Sequence, residues 1–393
     1  MIYKIRVWEN SRAPARLAGE LICEVDPRGR LRSAFRYDRE FLETGYALDP
    51  VTLPLKDIPM EAPSGFFGVF EDSLPDDWGR RLLVRKHNIP RHEQNLPNLL
   101  LALGNTGMGA LAFTTKNTPD APMVEPSVMH LGELVAAAEK FERGEALDIE
   151  LTRLFTAGSS AGGARPKALV YDLDRDLHQL AKFPSSKDDV DVVRIEAATM
   201  ELAAVAGLHC PCSYVVECGT KPVLLVDRFD LMPGGRKHMI SLQTLLQAEG
   251  YYQLRYFDIL SIVRKYSSNP LKDSELLYRQ MTFNGLIGNT DDHLKNFWMI
   301  YEQSTGWRLS PAFDLLPDVA RRVEHILFFD MGAFYPGREK LLALGRSWGI
   351  PHNQLVFDEV ATAVAAWKGT FSYHGVTEKD ALRFKEIDAR LAL

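Results

Sequence analysis

The segment Gly288-Asn289-Thr290-Asp291-Asp292-His293-Leu294-Lys295-Asn296-Phe297, followed downstream by Pro311-Ala312-Phe313-Asp314, limits what this chain can fold into more than any other. An Asp, an Asn five residues later and a further Asp beyond a short hairpin form the carboxylate set of kinase-type phosphoryl transfer. In that chemistry one carboxylate orients the attacking hydroxyl and takes its proton. The amide and the later acid hold the magnesium ions that bridge the ATP phosphates. Mg²⁺ takes hard oxygen donors in octahedral array and keeps several waters, so one amide and one carboxylate from protein suffice. A fold that uses these residues must bring positions 291, 296 and 314 to one nucleotide–metal complex. The flanking letters depart from the kinase pattern, since no His-Arg-Asp precedes and no Gly follows Asp314. Polar turns such as Asn289-Thr290-Asp291-Asp292 are also ordinary loop chemistry, so the spacing needs support from elsewhere in the chain.

At 393 residues the chain exceeds one ordinary core, and two or three packed units are expected. Its 46% hydrophobic and 25% charged content is ordinary for a soluble globular protein. A net charge of −6 offers no global basic field, so DNA would be reached only through a partner or a local patch. The opening Met1-Ile2-Tyr3-Lys4-Ile5-Arg6-Val7-Trp8 alternates like a strand rather than a leader, and no apolar run approaches the ~20 residues of a membrane span. A cytoplasmic protein without a membrane partner is expected. Cys210, Cys212 and Cys218 lie close in sequence, but no second pair or nearby His completes a tetrahedral set. With Cys23 they read as reduced, mostly buried thiols.

Residues 1–113 read as a β-rich unit, with strands at 2–8 and 18–24 and a turn at Pro27-Arg28-Gly29-Arg30. Its embedded helix lies in 72–87, where Trp78, Leu82 and Leu83 fall at helical spacing. Residues 114–147 hold a linker, 116–127 by composition, and a helix near 129–142. The part 148–230 runs helix (148–156), glycine-rich loop, and a hairpin of 168–173 and 178–183 about Asp174-Arg175-Asp176. A helix over 194–206, ended by Gly207, and a hairpin of 213–218 and 222–226 complete it. From 231 to 393 helices dominate (241–249, 255–266, 272–287, 338–348, 353–367, 377–391), interrupted by a short β excursion at 297–310. This order predicts an α+β, bilobal protein-kinase-like fold. Its β-rich N-terminal part carries an extra N-terminal subdomain, and its C-terminal lobe is all-helical.

A kinase also needs backbone N–H groups over the phosphates, a Lys on the next strands and an acid to fix that Lys, and each has a candidate in order. Gly158-Ser159-Ser160-Ala161-Gly162-Gly163-Ala164-Arg165-Pro166-Lys167 precedes the first strand of its unit, and its glycines would let backbone approach an anion. A plain surface loop is the alternative. Lys182 is a lone charge inside an apolar strand, which calls for an ion pair or a phosphate unless it snorkels at an edge. Glu196, at the start of the next helix, is its natural partner, though acids also favour helix starts. Asp227-Arg228-Phe229 ends the last strand before the helical part, where a hinge would expose backbone groups to adenine, unless Phe229 is simply core. The cluster Gly104-Asn105-Thr106-Gly107-Met108-Gly109 reads as a turn, because no strand–glycine–helix unit surrounds it.

With these residues assembled, nearly the whole chain resembles the HipA-type toxin kinases, the serine/threonine protein kinases of type II toxin–antitoxin pairs. The opening unit carries Phe35-Arg36-Tyr37-Asp38, Ala47-Leu48, Leu53-Pro54-Leu55 and Phe70-Glu71-Asp72-Ser73-Leu74-Pro75-Asp76-Asp77-Trp78-Gly79-Arg80, similar to the family's N-terminal subdomain. Ser160 to Lys167, Asp291 to Asn296 and Phe313-Asp314 match its C-terminal motifs. The resemblance implies ATP and Mg²⁺ as cofactors. Asp291 would be the catalytic base, Asn296 and Asp314 the metal ligands, and Lys182 a phosphate contact. Asp227, Arg228 and Phe229 would hold adenine, and His293 and Lys295 would support the loop or touch nucleotide. Ser160, Ala161, Gly162, Gly163, Ala164, Arg165, Lys167 and Phe313 complete the nucleotide site, with Glu196 as a structural ion-pair partner. In the family a serine of the Gly-rich loop is autophosphorylated, which ejects the loop and silences the kinase; Ser160 aligns with it and Ser159 is a second candidate. A phosphate of about −2 charge there would compete with the ATP phosphates for the same N–H groups.

Two departures stand out. Arg165-Pro166 replaces a Gln-acidic pair of some members, and Pro166 removes one N–H donor. Asp292 directly follows Asp291, so the choice of base rests on alignment to Asn296; Asp291 preserves the five-residue spacing. The resemblance also implies a HipB-like helix-turn-helix antitoxin as partner, operator DNA reached only through it, and a protein substrate such as an aminoacyl-tRNA synthetase. The alternatives are a co-repressor whose ATP site is regulatory and a small-molecule kinase of kinase-like fold.

Overall fold

Alternation at period two makes strands of the first three apolar runs: β1 (Ile2–Glu9), β2 (Arg16–Val25) and β3 (Leu31–Tyr37). With β4 (Met60–Glu61) and β5 (Leu111–Thr114) they form one antiparallel sheet in the order β4-β3-β2-β1-β5. Ile5, Val7, Leu21, Cys23, Phe35 and Tyr37 are buried. The ring of Phe70 sits 5.3 Å from Phe35 and 6.0 Å from Phe113, so the core beneath this sheet is aromatic. Trp78, Leu82 and Leu83 of the Asp77–Lys86 helix are fully buried, as their spacing requires. The hairpin of β6 (Lys167–Asp172) and β7 (Leu177–Lys182) follows, in a register that sets Lys167 opposite Lys182.

The computed structural model describes residues 1–118, 127–146, 154 and 165–393. The glycine-rich positions Gly158, Ser159, Ser160, Ala161, Gly162, Gly163 and Ala164 lie outside the described residues, as do most of the expected linker and of the 148–156 helix. Two compact units emerge, Met1–Ser186 with Asp227–Ile240, and Lys187–Val226 with Ser241–Leu393. The Val192–Val205 helix groups with the C-terminal helices because its surface is tied to them. Arg194 Nη1 donates to the His374 carbonyl at 3.2 Å, His374 Nε2 lies 2.7 Å from Glu201 Oε2, and Arg383 pairs with Asp189 at 2.8 Å.

The second unit is mostly helical but carries two hairpins, both where strands were expected from sequence. It contains the hairpin of β8 (Ser213–Cys218) with β9 (Lys221–Asp227), and a second hairpin of Trp298–Glu302 with Gly306–Leu309. The helix expected at 353–367 is broken near Ala366 into Asn353–Ala365 and Trp367–Tyr373, which lets Trp367 and Phe371 both reach the core. That expected at 241–249 reaches only Leu245, and Gln247 takes a positive φ of 51°. No described helix is long and apolar enough to cross a membrane. All four cysteines are free; Cys23 is buried, but Cys212 is exposed, contrary to the expectation of mostly buried thiols.

At the centre of this unit runs the Pro270–Ile287 helix. Asn269 caps it by accepting from the Lys272 N–H, and Pro270 fills the first turn, where no N–H is needed. From Leu277 to Ile287 every residue is buried. Its buried charges are consequently paired. Asp273 receives Arg308 through Nη2 at 2.8 Å and Nε at 3.0 Å, the Leu309 N–H at 2.9 Å and the Ser267 hydroxyl at 2.6 Å. Arg279 donates to the Ala206 carbonyl and to Glu359, each at 2.7 Å.

The helix stops at Gly288 in the left-handed region, φ 80°, with Arg390 donating to the Leu286 and Ile287 carbonyls at 2.9 Å. A Cβ at Gly288 would stand 2.4 Å from Arg390 Nη2. Gly288→Ala therefore combines left-handed strain with displacement of the guanidinium that satisfies the helix end. A loss of about 1–3 kcal/mol is expected in urea unfolding. A wild-type midpoint would show that the helix end is not built this way.

Candidate active site

The loop bearing Asp291 and Asp292 leaves this buried helix at Gly288, so its root is anchored in the core. Asn289 Nδ2 donates to Asn284 Oδ1 at 3.1 Å, and Asn284 donates in turn to the Tyr256 hydroxyl at 3.1 Å. Tyr256 then donates to Asp292 Oδ2 at 2.6 Å. The same oxygen lies 3.0 Å from His325 Nδ1, while Oδ1 accepts from the Ile326 and Leu327 amides at 2.9 and 3.3 Å. The Asp292 side chain is 0% exposed. Such a carboxylate persists in the interior only because its bonds offset the cost of desolvation. Burial first, and the Asp292 charge second, push the Tyr256 phenol well above its ordinary pKa, so it remains a donor.

Asp291 lives in a different environment. Its side chain is 56% exposed and, among the described residues, makes a long ion pair, 3.9 Å from Arg322 Nη2. What is fixed is its backbone, because its carbonyl accepts from Asn296 Nδ2 at 2.8 Å. That bond spans the five-residue spacing seen in the sequence and turns Asn296 Oδ1 away from the Asp291 carbonyl. The turn is closed by the Asn296 N–H on the His293 carbonyl at 2.8 Å and by the Leu294 N–H on the Tyr252 hydroxyl at 3.0 Å. Trp298 Nε1 donates to the Lys295 carbonyl at 2.6 Å. His293 and Lys295 both lie half-buried on this turn.

Asn296 and Asp314 flank the same hairpin. The Ser310 N–H donates to the Trp298 carbonyl at 2.9 Å, which extends the Trp298–Leu309 ladder and brings the two flanks to one end. The Ala312 N–H then donates to the His209 carbonyl at 2.7 Å, fixing the approach to Phe313. Asp314 adopts φ 56°, a region open to few side chains and one that Asp tolerates. Phe313 and Asp314 are half-buried, and Leu315 after them is buried. The pair Asn296 and Asp314 supplies hard oxygen donors, one amide and one carboxylate, and so fits Mg²⁺ by chemistry. Among the described residues no group of three or more His, Cys, Asp or Glu is arranged to hold a metal ion.

The remaining candidates lie elsewhere. In the first unit, Lys167 is buried and Lys182 half-buried, side by side across β6 and β7. Asp227 Oδ1 and Oδ2 accept from Arg175 at 3.1 and 2.8 Å, and Gln179 Nε2 donates to Oδ1 at 2.6 Å. Arg228 is paired with Asp230 through Nε at 2.9 Å and Nη2 at 2.6 Å, while its N–H donates to the His178 carbonyl at 3.0 Å. The side chains of Asp227 and Arg228 are thus engaged, so backbone rather than side chain is what they offer a ligand. Phe229 is half-buried, and Arg165 opens the described stretch before β6. Glu196 is buried in the Val192–Val205 helix of the second unit.

Several residues that shape the loop were not singled out from sequence: Tyr252, Tyr256, Asn284, His325, Asp318 and Arg322. Thr290 Oγ1 donates to Asp318 Oδ2 at 2.5 Å, and Arg322 Nε donates to the same oxygen at 2.6 Å. Burial works to raise the Asp318 pKa, but the Thr290 and Arg322 bonds outweigh it and hold the carboxyl below its usual range. Only the Tyr252/Tyr256 pair, polar-tipped aromatics four apart at a helix start, offered any local signal.

Comparison with known proteins agrees with this architecture. Residues 13–114 match the HipA N-terminal domain and residues 159–367 the HipA-like C-terminal domain. The chain is 24% identical to the serine/threonine-protein kinase toxin HipA of Shewanella oneidensis over 360 residues, 82% of this chain and 80% of the relative. It is 30% identical over 152 residues to Y4mE of Sinorhizobium fredii, named as a kinase; that match covers 36% of this chain and only 34% of the relative. The fold matches HipA of Shewanella oneidensis MR-1, in a structure of its complex with HipB and operator DNA. There the TM-score is 0.69 at 20% identity, over 98% of this chain and 95% of that one. With both domains matched in order, and the second spanning more than half of the residues, this chain belongs to the HipA family.

Proposed function

We propose that this chain is an ATP- and Mg²⁺-dependent protein kinase that transfers the γ-phosphoryl group to a serine or threonine hydroxyl, with Asp291 as the base. One observation carries the assignment: of two adjacent carboxylates, Asp292 is consumed by buried structural bonds while Asp291 is held by its backbone with its carboxylate exposed. A base must reach the hydroxyl it deprotonates, and only an accessible carboxylate on a fixed backbone can do so repeatedly. Asn296 and Asp314 would hold Mg²⁺, which neutralises charge on the phosphates. Lys182, opposite Lys167 in the β6–β7 ladder, would contact a phosphate. Backbone groups at Asp227 to Phe229 would meet adenine, and Glu196 would fix a lysine.

Regulation would follow the family resemblance. Ser160, with Ser159 second, would take a phosphate from the enzyme's own ATP and so silence it. Incubation with ATP and Mg²⁺ followed by mass spectrometry of the 157–168 peptide should show one phosphate on Ser160, absent in Asp291→Ala. An unmodified peptide, with no label on any acceptor, would remove the kinase reading.

A second role is compatible with the first. The Shewanella oneidensis HipA structure is a complex with HipB and operator DNA, and the net charge of −6 here suits contact with DNA through a basic partner. A helix-turn-helix antitoxin is the expected partner. Operator affinity measured with antitoxin alone and with both proteins would rise if this chain co-represses, and stay unchanged if it does not.

A further inference from the structure

Arg322 is built into place beside the exposed Asp291, at a cost that an ordinary surface ion pair does not justify. Its Nε is held by Asp318, whose side chain is 3% exposed. Asp318 also accepts from the Ala320 and Arg322 amides at 2.7 and 3.4 Å, so one carboxylate shapes both the turn and the side chain that leaves it. The turn includes Arg321 at φ 60°, a strained conformation for an arginine. Through Thr290 the same carboxylate is bonded to the residue preceding Asp291. Turn and loop are therefore locked in register.

The return in stability is small. Arg322 and Asp291 are 55% and 56% exposed and 3.9 Å apart, a pair that water and salt largely screen. What the arrangement does provide is a guanidinium with its orientation set in advance. Its Nη2 lies 3.9 Å from Asp291 Oδ1 with both side chains more than half exposed, next to the carboxylate that an acceptor hydroxyl has to reach. A planar fork held this way is suited to a carboxylate, because the ordering entropy has been paid before binding.

We infer that Arg322 is a specificity-determining residue that reads a carboxylate flanking the acceptor serine or threonine of the protein substrate. This rests on the kinase reading of Asp291 and deepens it by naming the acceptor's chemistry. The other anion that could meet the guanidinium is the transferring phosphoryl group of ATP, and the two sources give different signatures. A carboxylate reader changes preference among acceptors. A phosphoryl contact changes transfer to all of them equally.

The test uses the full-length protein, labelled ATP with Mg²⁺, and three peptide sets in which serine is flanked by Asp/Glu, by Ala or by Lys. The wild type should favour the acidic set over the alanine set by about fivefold to tenfold in kcat/KM, carried mainly by KM. Arg322→Ala should bring the acidic-to-alanine ratio of kcat/KM down to about one, and Arg322→Glu should shift the preference to the lysine set. Arg322→Lys should restore part of it, since a charge remains but the fork is lost. Equal transfer to all three sets by the wild type, or a uniform fall in Arg322→Ala, overturns the inference and leaves the kinase reading intact. No transfer to any set, or to the protein itself, overturns both.

Discussion

Asp291→Ala is expected to lower phosphoryl transfer by about 10²–10⁴-fold, the usual contribution of a positioned base, with folding intact. The side chain it removes is more than half exposed and, among the described residues, makes one long ion pair, so unfolding free energy should move by less than about 0.5 kcal/mol. The Asn296 bond that organises the loop is made to the Asp291 carbonyl and survives the substitution. Steady-state transfer and urea unfolding on the same preparation check both halves. Wild-type transfer in this variant would mean that another group takes the proton.

Its neighbour should behave in the opposite way. Asp292→Ala strips four partners from a buried carboxylate: the Tyr256 hydroxyl, His325 Nδ1 and the amides of Ile326 and Leu327. Breaking a buried charged network by removing one partner costs about 3–5 kcal/mol, which is a large share of a marginal total of about 5–15 kcal/mol. Poor folding is expected. Asp292→Asn keeps the shape and one acceptor oxygen, so it should fold with a smaller loss and keep most of its transfer per folded molecule. The contrast is the useful part. An Asp292→Asn protein as stable as wild type but without transfer would exchange the roles of the two carboxylates.

The difference between these neighbours could not be read from the chain. Spacing to Asn296 favoured Asp291, and the 2.8 Å bond across that interval gives the spacing a physical meaning. Asp292's partners, however, come from positions 256, 325, 326 and 327, which no local pattern connects to it. Arg322 escaped notice for the same reason: its importance lies in Asp318 and Thr290, not in its own neighbours in sequence.

The fold divides similarly. β1 and β2 were legible from their alternation, as were the capped Pro270–Ile287 helix and the β8–β9 hairpin. β5 was not, because all four of its residues are buried and leave no alternation to see. Contacts such as Arg194 with His374 join segments far apart, whereas composition changes only along the chain. The hairpin flanked by Asn296 and Asp314 falls within the β excursion expected at 297–310.

The central claim is that Asn296 and Asp314 present oxygen donors to the metal of a nucleotide complex while Asp291 is reserved for the proton. Titration of wild type and variants with Mn²⁺–ATP, read by the paramagnetic resonance of bound Mn²⁺, tests it without requiring turnover. Asn296→Ala and Asp314→Ala should each weaken Mn²⁺–ATP binding by at least about tenfold, and Asp291→Ala should bind as wild type. Unchanged affinity in both metal-site variants, or a loss confined to Asp291→Ala, would contradict the account.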